Sequence, residues 1–335
     1  MPLRFAFAGF RHGHILEVYA KAGSTPGCEV AGACEEHPAT RANLESKVKF
    51  THANVEALLN ESNADVLAIG DYFGRRGALA LMALERGKHV LSDKPLCTSL
   101  AELDEIERVA REKKRVVACQ LGMPYQPQYV KLRELIQTGK LGVLHQISFG
   151  GQHPLLYGQR PGWYYEAGKH GGTINDIAIH SFDMLPKVTG LGFKRVIAAR
   201  TWNAFAKEEP QFMDSAQFML ELSNGCGVLG DVSYALPTGL SYQTPQYWRF
   251  TLYGSLGIAE VSANSKQVWF AGATDAKPQI IESASAPSGG YFDTFLAAVN
   301  GSGNAEQITQ ETIQATRVSL RVQKAADLQE YDVKL

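Results

Sequence analysis

One acid–base pair in the sequence has a spacing suited to proton transfer. Asp176 lies four residues before His180 in a segment compatible with a helix, so the two side chains project from one helical face. A histidine oriented by a carboxylate can accept or donate a proton near neutral pH. We therefore predict that both residues are catalytic, the alternative being a pair that only stabilises its helix. Gly171 and Gly172 precede them and are expected to let the loop approach a ligand closely.

A lysine follows one of the short apolar strands predicted in the first half of the chain. Lys94 belongs to Ser92–Leu96 (SDKPL), which follows the strand KHVL. In open α/β folds, ligands bind at this carboxyl edge of the sheet. A lysine there can stabilise a developing alkoxide, and the proline after it restricts the backbone. The alternative is a surface lysine before a proline turn.

A glycine turn ends the first predicted strand. The dinucleotide fingerprint G-x-G-x-x-G needs glycines so that backbone can approach a pyrophosphate at a helix N-terminus. Only Gly9 is in register, because Arg11 and His14 occupy the other two glycine positions and Gly13 comes one place early. Arg11 and His12 supply cations that could face phosphates. We interpret this turn as a nucleotide-binding loop, with an ordinary strand-to-helix turn as the alternative.

An acidic residue closes the second predicted strand. Glu35 stands close to the position at which an acid accepts hydrogen bonds from the adenosine ribose, which favours NAD because the acid would repel the 2′-phosphate of NADP. Glu36 is the competing acid, and both could be solvated turn residues. No metal site is predicted, because the His12-x-His14 pair has no third ligand at a suitable spacing.

The elements that must position these residues change in type near residue 120. Before it, short apolar strands alternate with helices, which predicts an α/β fold with a doubly wound parallel Rossmann sheet over 1–120. After it, strands rich in Val, Phe, Tyr and Thr follow one another with few helices. This predicts a second α/β domain over 121–335 with a large, mostly antiparallel open sheet.

Composition limits the classes of partner. The 335 residues carry 33 Lys and Arg against 34 Asp and Glu, so no global field would hold nucleic acid or an acidic membrane surface. The five cysteines form no C-x-x-C pair, which fits a reducing compartment. No apolar stretch approaches the length of a membrane helix. We therefore expect a soluble, cytoplasmic protein that binds a small molecule.

Four stretches taken together resemble the Gfo/Idh/MocA family of oxidoreductases, relatives of glucose-fructose oxidoreductase and inositol dehydrogenase. They are the first-strand glycine turn, ALERGKHVLSDKPL (83–96), LRELIQTGKLG (132–142) and GGTINDIAIHSFD (171–183). The resemblance implies a Rossmann domain, a C-terminal domain with a large open sheet, and homodimers or homotetramers formed through that sheet. It places the catalytic roles on Lys94, Asp176 and His180.

The resemblance also guides the assignment of ligand contacts. The cofactor, NAD with NADP as the alternative, is assigned to Gly9, Phe10, Arg11, His12, Gly13, His14, Glu35, Asp71, Arg76, Asp93, Lys94 and Gln120. Substrate contacts are assigned to Lys94, Trp163, Tyr164, Asp176 and His180. Trp163 and Tyr164 could stack on a pyranose or pack in a core or an interface. Arg160, in the same segment, could hold a carboxylate or be a solvated loop residue.

The sequence departs from the family pattern at several positions. Asp93 replaces the usual glutamate, Arg11 a fingerprint glycine, Arg76 a histidine, and Met123–Pro127 (MPYQP) lacks an arginine. Hydride transfer between a nicotinamide and a hydroxyl carbon of a sugar, polyol or sugar acid is therefore better supported than any single substrate. The alternatives are a lyase, glycosidase or isomerase that oxidises its substrate transiently, and a nucleotide-binding sensor without turnover.

Overall fold

The computed structural model describes residues 1–240, 242–244, 247–283 and 289–335. They divide into two units. The first unit comprises Met1–Gln120, Glu166–Gly171 and Gly290–Thr316, and the second comprises Leu121–Tyr165, Gly172–Gly289 and Arg317–Leu335. One segment from the middle of the chain and one from near its end thus belong to the first unit, so a single division at residue 120 does not describe the two units. Among the described residues, no helix combines the length and apolar character needed to cross a membrane.

A five-stranded parallel sheet forms the centre of the first unit. Its strands, in the order β2-β1-β3-β4-β5, are β1 (Leu3–Ala8), β2 (Cys28–Cys34), β3 (Val66–Ile69), β4 (His89–Ser92) and β5 (Val117–Cys119). The helices of this unit are α1 (Ile15–Ser24), α2 (Pro38–Leu44), α3 (Val55–Glu61), α4 (Phe73–Glu85), α5 (Leu100–Lys113), α8 (Tyr291–Val299) and the first part of α9 (Ala305–Leu328). Strands and helices alternate up to β5, so the predicted Rossmann-like sheet is confirmed.

The strand order creates a switch point between β1 and β3. From β1 the chain crosses to β2 on one side, and it then returns to β3 on the other side. A parallel bridge between Cys34 and His52 adds a further pairing beyond β2. Ligands of doubly wound sheets bind outside the carboxyl ends of the strands at such a point. Gly9 and Asp71 come just after β1 and β3, so the topology places them beside this crevice.

A nine-stranded sheet dominates the second unit. Its order is β13-β12-β11-β10-β6-β9-β8-β7-β14, and the pairing is antiparallel except between β6 and β9. The strands are β6 (Leu144–Pro154), β7 (Phe193–Trp202), β8 (Ser215–Leu222), β9 (Gly227–Leu236), β10 (Arg249–Gly254), β11 (Gly257–Val261), β12 (Gln267–Gly272), β13 (Gln279–Glu282) and β14 (Val333–Lys334). Helices α6 (Pro127–Gln137) and α7 (Ile179–Thr189) and the end of α9 complete the unit. The predicted large, mostly antiparallel sheet is confirmed.

Two local features differ from the sequence prediction. Strand β6 has a central place in the sheet but was not predicted, because its sequence LHQISFGGQHP contains two glycines and no continuous apolar run. The sequence predicts a helix over 174–188, which contains Asp176 and His180, and the structure begins this segment with one π-helical turn, Ile174–Ala178, that leads into α7. Single π turns of this kind are frequent at functional sites.

Candidate functional site

In the first unit, position 9 requires glycine because of its backbone conformation and because of a residue close to it. Its φ is +76°, and a Cβ at this position would lie 2.7 Å from the Cβ of Asp71. No side chain fits there, so the first fingerprint glycine has the steric reason expected of a tight turn. Gly13, by contrast, has no atom within 4 Å of the place where a Cβ would stand. The second half of this loop therefore does not depend on glycine for packing.

Asp71 and Glu35 hold the backbone around this turn. Asp71 accepts from the amide of Tyr72 at 2.7 Å and from Arg75 at 2.9 Å. Glu35 is 2% exposed and accepts from the amide of Phe10 at 2.6 Å, and its other oxygen accepts a second backbone amide at 2.7 Å. Burial raises the pKa of Glu35 although these two donors favour the ionised form.

The competing acid, Glu36, is held elsewhere. It accepts from the amide of Val55 at 3.0 Å and forms an ion pair with Arg75. Glu35 is therefore the acid that touches the glycine loop. Each of its carboxylate oxygens can accept a second hydrogen bond, so the bonds to Phe10 and His37 do not exhaust its capacity for a ribose hydroxyl.

The His12 side chain contacts a buried carboxylate of the protein and is not available as a cation for a phosphate. Its Nδ1 lies 2.5 Å from Oδ2 of Asp93, and its side chain is 13% exposed. Burial lowers the pKa of His12 to about 4 despite the adjacent carboxylate, so the imidazole is neutral at pH 7 and donates to Asp93. The expectation that His12 provides a cation is therefore wrong. Arg11 is the partly exposed cation of this loop, with its guanidinium 5.8 Å from the Tyr72 ring centroid.

Arg76 supports the segment that carries Lys94. Its guanidinium is completely buried and donates to the carbonyl oxygens of Asp71 at 2.8 Å, of Lys94, and of Pro95 at 3.2 Å. It also lies 3.2 Å from the Asp93 carboxylate. Burial opposes ionisation of Asp93, yet the contacts with His12 and Arg76 hold its pKa well below the ordinary value. Arg76 was assigned to the cofactor, but its complete burial indicates that it supports this loop from inside.

Lys94 and Gln120 lie at the ends of neighbouring strands. Lys94 is 3% exposed, and its Nζ lies 5.9 Å from the Phe73 ring centroid. Gln120 donates from Nε2 to Glu17 at 2.9 Å, and Glu17 accepts from the hydroxyl of Tyr291 at 3.2 Å. The buried Oε1 of Gln120 has no hydrogen-bond partner among the described residues. Glu17 and Tyr291 were not predicted for the site, because their sequence positions give no sign of this contact.

These residues fit a dinucleotide in this unit. The tight turn at Gly9 lies beside the switch point, and the buried acid Glu35 follows β2. Gln120, just after β5, has a buried side-chain oxygen without a hydrogen-bond partner among the described residues. An unsatisfied buried acceptor calls for a donor that the described residues do not supply, and a bound ligand can provide one. These acceptors therefore agree with the hydroxyl and amide donors of the ribose and nicotinamide groups of a dinucleotide.

The first unit also brings together a possible metal-ligand set that spacing alone did not reveal. Ligand atoms of His12, His14 and Asp93 lie within 4.8 Å of one another, and His14 Nδ1 is 3.6 Å from Asp93 Oδ1. Asp93 is 81 residues from His12 in sequence, so no local motif indicates that the two residues are neighbours. The Arg76 guanidinium beside Asp93 already balances its charge, which disfavours a cation at this point.

In the second unit, the π-helical turn positions Asp176. The amide of Asp176 donates to Gly172 at 3.0 Å, and its Oδ2 accepts from the hydroxyl of Tyr234 on β9. Asp176 is 2% and Tyr234 1% exposed. Burial, reinforced by the carboxylate, holds the pKa of Tyr234 well above its usual value, so the phenol stays protonated and donates. Tyr234 is not among the predicted site residues, since an aromatic residue inside a strand is an ordinary core residue.

Gly172, just before this turn, is in close contact with another side chain of the protein. Gly172 has a φ of +96°, and a Cβ there would lie 2.2 Å from Cδ of Gln323. Gln323 of α9 accepts from the amide of Ile174 at 2.9 Å and so fixes the start of the π turn. The expectation that Gly172 makes room for a ligand is therefore replaced by close packing against Gln323. Gly171 also has a positive φ, +78°.

The remaining predicted residues of this unit are His180, Trp163, Tyr164 and Arg160. His180 is partly buried on α7, with its ring 5.5 Å from that of Trp248. Trp163 and Tyr164 are 1% and 3% exposed and their ring centroids are 4.3 Å apart, which favours packing over stacking on a sugar. Arg160, expected as a solvated loop residue or a carboxylate ligand, lies between the rings of Tyr164 and Tyr234 at 4.9 and 4.8 Å.

Comparison with known proteins gives two family matches along the chain. Residues 3–121 match the oxidoreductase family with an NAD-binding Rossmann fold, and residues 129–260 match the GFO/IDH/MocA C-terminal domain. Among solved structures, a putative oxidoreductase from Erwinia carotovora atroseptica SCRI1043 superposes with a TM-score of 0.85 at 28% identity. That similarity covers 97% of this chain and 98% of the other.

Curated relatives are more distant and align over part of their length. A D-xylose dehydrogenase of Paenarthrobacter nicotinovorans is 26% identical over 56% of this chain and 52% of its own length. Inositol 2-dehydrogenase 2 of Saccharopolyspora erythraea is 26% identical over 67% of this chain and 62% of its own length. The chain thus spans between half and two thirds of the length of these two relatives.

Proposed function

Because the chain belongs to the Gfo/Idh/MocA family of oxidoreductases, we propose that it is an NAD-dependent dehydrogenase or reductase acting on a hydroxyl carbon of a sugar, polyol or sugar acid. One observation carries this proposal. The buried carboxylate of Asp176 is fixed by Tyr234 on a π turn, and the partly accessible His180 follows four residues later. A carboxylate fixed in this way can orient a histidine that stays accessible to a substrate.

The first unit supplies the groups proposed to hold the cofactor. The Gly9 turn and the partly exposed Arg11 would meet the pyrophosphate, and Glu35 would accept from the adenosine ribose hydroxyls. A carboxylate at this position favours NAD over NADP by charge repulsion of the 2′-phosphate. When bound, the nicotinamide accepts a hydride from the substrate carbon or returns one to it.

The chain's own part of the chemistry is proton transfer and charge stabilisation. His180 accepts the proton of the substrate hydroxyl, and Asp176 orients His180 and favours its protonated form. Lys94 donates a hydrogen bond to the reacting oxygen and stabilises its developing negative charge. Arg76 fixes the backbone of Lys94 by binding its carbonyl oxygen, so this lysine starts from a restricted position.

Removal of the proposed base tests this function. A panel of sugars, polyols and aldonates is assayed with NAD and NADP for both NADH formation and substrate loss. His180→Ala is expected to lower turnover by a factor of about 10²–10⁴ while NAD binding, measured by calorimetry, stays unchanged. Unchanged turnover in this variant would refute the role of His180. Failure of the wild type to bind either cofactor would refute the proposed function as a whole.

A further inference from the structure

An arginine in the second unit is built into the surroundings of Asp176 without an acidic partner in direct contact. Arg160 lies between two tyrosine rings, and one of them, Tyr234, donates its hydroxyl to Asp176. No described residue forms a direct ion pair with this guanidinium, and the Asp176 carboxylate attracts it only at longer range. A partly buried cation is costly unless its charge is balanced, and aromatic faces balance it only in part.

Three of the five N–H groups of this guanidinium are held by the protein. Nε donates to the carbonyl of Leu155 at 2.7 Å, and Nη2 donates to the carbonyl of Pro154 at 2.8 Å and to the hydroxyl of Tyr242 at 3.3 Å. The two N–H groups of Nη1 have no acceptor among the described residues. The side chain is therefore fixed in place, with two directed donors and a positive charge left for a ligand.

We propose that Arg160 binds the carboxylate of the substrate, so that the enzyme acts on monocarboxylate sugars such as aldonates or uronates. This inference rests on the proposed function and narrows its substrate class. A carboxylate matches the planar N–H donors of a guanidinium. A single negative charge also suits the site better than a phosphate dianion, because Asp176 already contributes one negative charge beside Tyr234.

The experiment compares substrates that differ in the carboxylate. The pairs are D-gluconate with D-glucitol, D-galacturonate with D-galactose, and D-glucuronate with D-glucose, and D-glucose 6-phosphate tests a dianion. For each, kcat/KM is measured with NAD and with NADP, and binding to the full chain is measured by saturation-transfer NMR without cofactor. At least one acid is expected to exceed its neutral partner by tenfold or more in kcat/KM and in binding.

Three variants connect this preference to the guanidinium. Arg160→Gln is expected to lower kcat/KM for the acid by about 10- to 100-fold more than for its neutral partner, mainly through KM. Arg160→Lys keeps the charge and is expected to retain most of the preference. Arg249→Gln, on the exposed pair with Glu260, is the matched control and is expected to have no effect.

The outcomes separate the two proposals. Equal losses for the acid and the neutral substrate in Arg160→Gln would overturn the carboxylate assignment, because a merely structural arginine would act on both. A preference for the neutral sugars or for glucose 6-phosphate, or no binding of any acid to the wild type, would overturn it as well. Absent turnover with both cofactors would contradict only the proposed function, since the binding measurements still test Arg160.

Discussion

The hydrogen bond from Tyr234 to Asp176 makes a measurable prediction about pH. Both side chains are almost completely buried, so water cannot replace the phenol when it is removed. A hydrogen bond to a buried charged group contributes about 1.5–3 kcal/mol, and one pH unit corresponds to about 1.4 kcal/mol. Tyr234→Phe therefore destabilises the ionised carboxylate, so the Asp176–His180 pair takes up a proton at higher pH. The acidic limb of the kcat/KM profile is expected to move upward by about 1–2 pH units.

The chain offers a matched control for this substitution. Tyr129 is also fully buried in the second unit, but its hydroxyl donates to the neutral carbonyl of Trp248 at 3.2 Å. Tyr129→Phe removes the same atom and is expected to lower the melting temperature without moving the pH limb. The profile is measured from pH 5 to pH 9 by NADH formation on the best substrate. Identical profiles for the two variants would refute the view that Tyr234 acts through the Asp176 charge.

Two further predictions concern stability. Burial and Arg115 lower the pKa of His89 to about 4, and its Nδ1 accepts from the amide of Val116, so the folded state binds fewer protons than the unfolded state between about pH 4 and 6.5. The unfolding free energy, measured in urea, should fall by about 1–2 kcal/mol more from pH 7.5 to pH 5 in the wild type than in His89→Gln, and equal losses would contradict this. Gly172→Ala should cost about 1–3 kcal/mol by clashing with the hydrogen-bonded Gln323, whereas Gly13→Ala, with open space, should change the melting temperature little.

Much of the fold follows from local sequence pattern. Apolar strands such as Leu3–Ala8 and Cys28–Cys34 are short, continuous and bounded by turn residues, and the structure gives them these same limits. The sequence pattern also predicts a helix over about 291–299, and the structure has this helix at Tyr291–Val299. Strand β6 was missed because its pairing with β9 and β10, rather than its own glycine-containing sequence, stabilises it.

The sequence by itself determined which residue types were available for chemistry. The helical spacing of Asp176 and His180, the glycine turn at Gly9 and the lysine after a strand are local features, and local spacing is what a sequence records. Spacing also suggested an acid–base pair and a nucleotide loop, and the family match over residues 3–121 supports an NAD-binding Rossmann fold.

Only the tertiary structure decided what surrounds these residues. It turned His12 from an expected cation into a neutral donor, buried Arg76 behind the lysine loop, and gave Asp176 a phenol from a strand 58 positions away in sequence. It also enclosed Arg160 between two tyrosine rings. The physical reason is that the charge state of a side chain, and the groups it can contact, depend on its burial and on partners distant in sequence. Local spacing records neither burial nor distant partners.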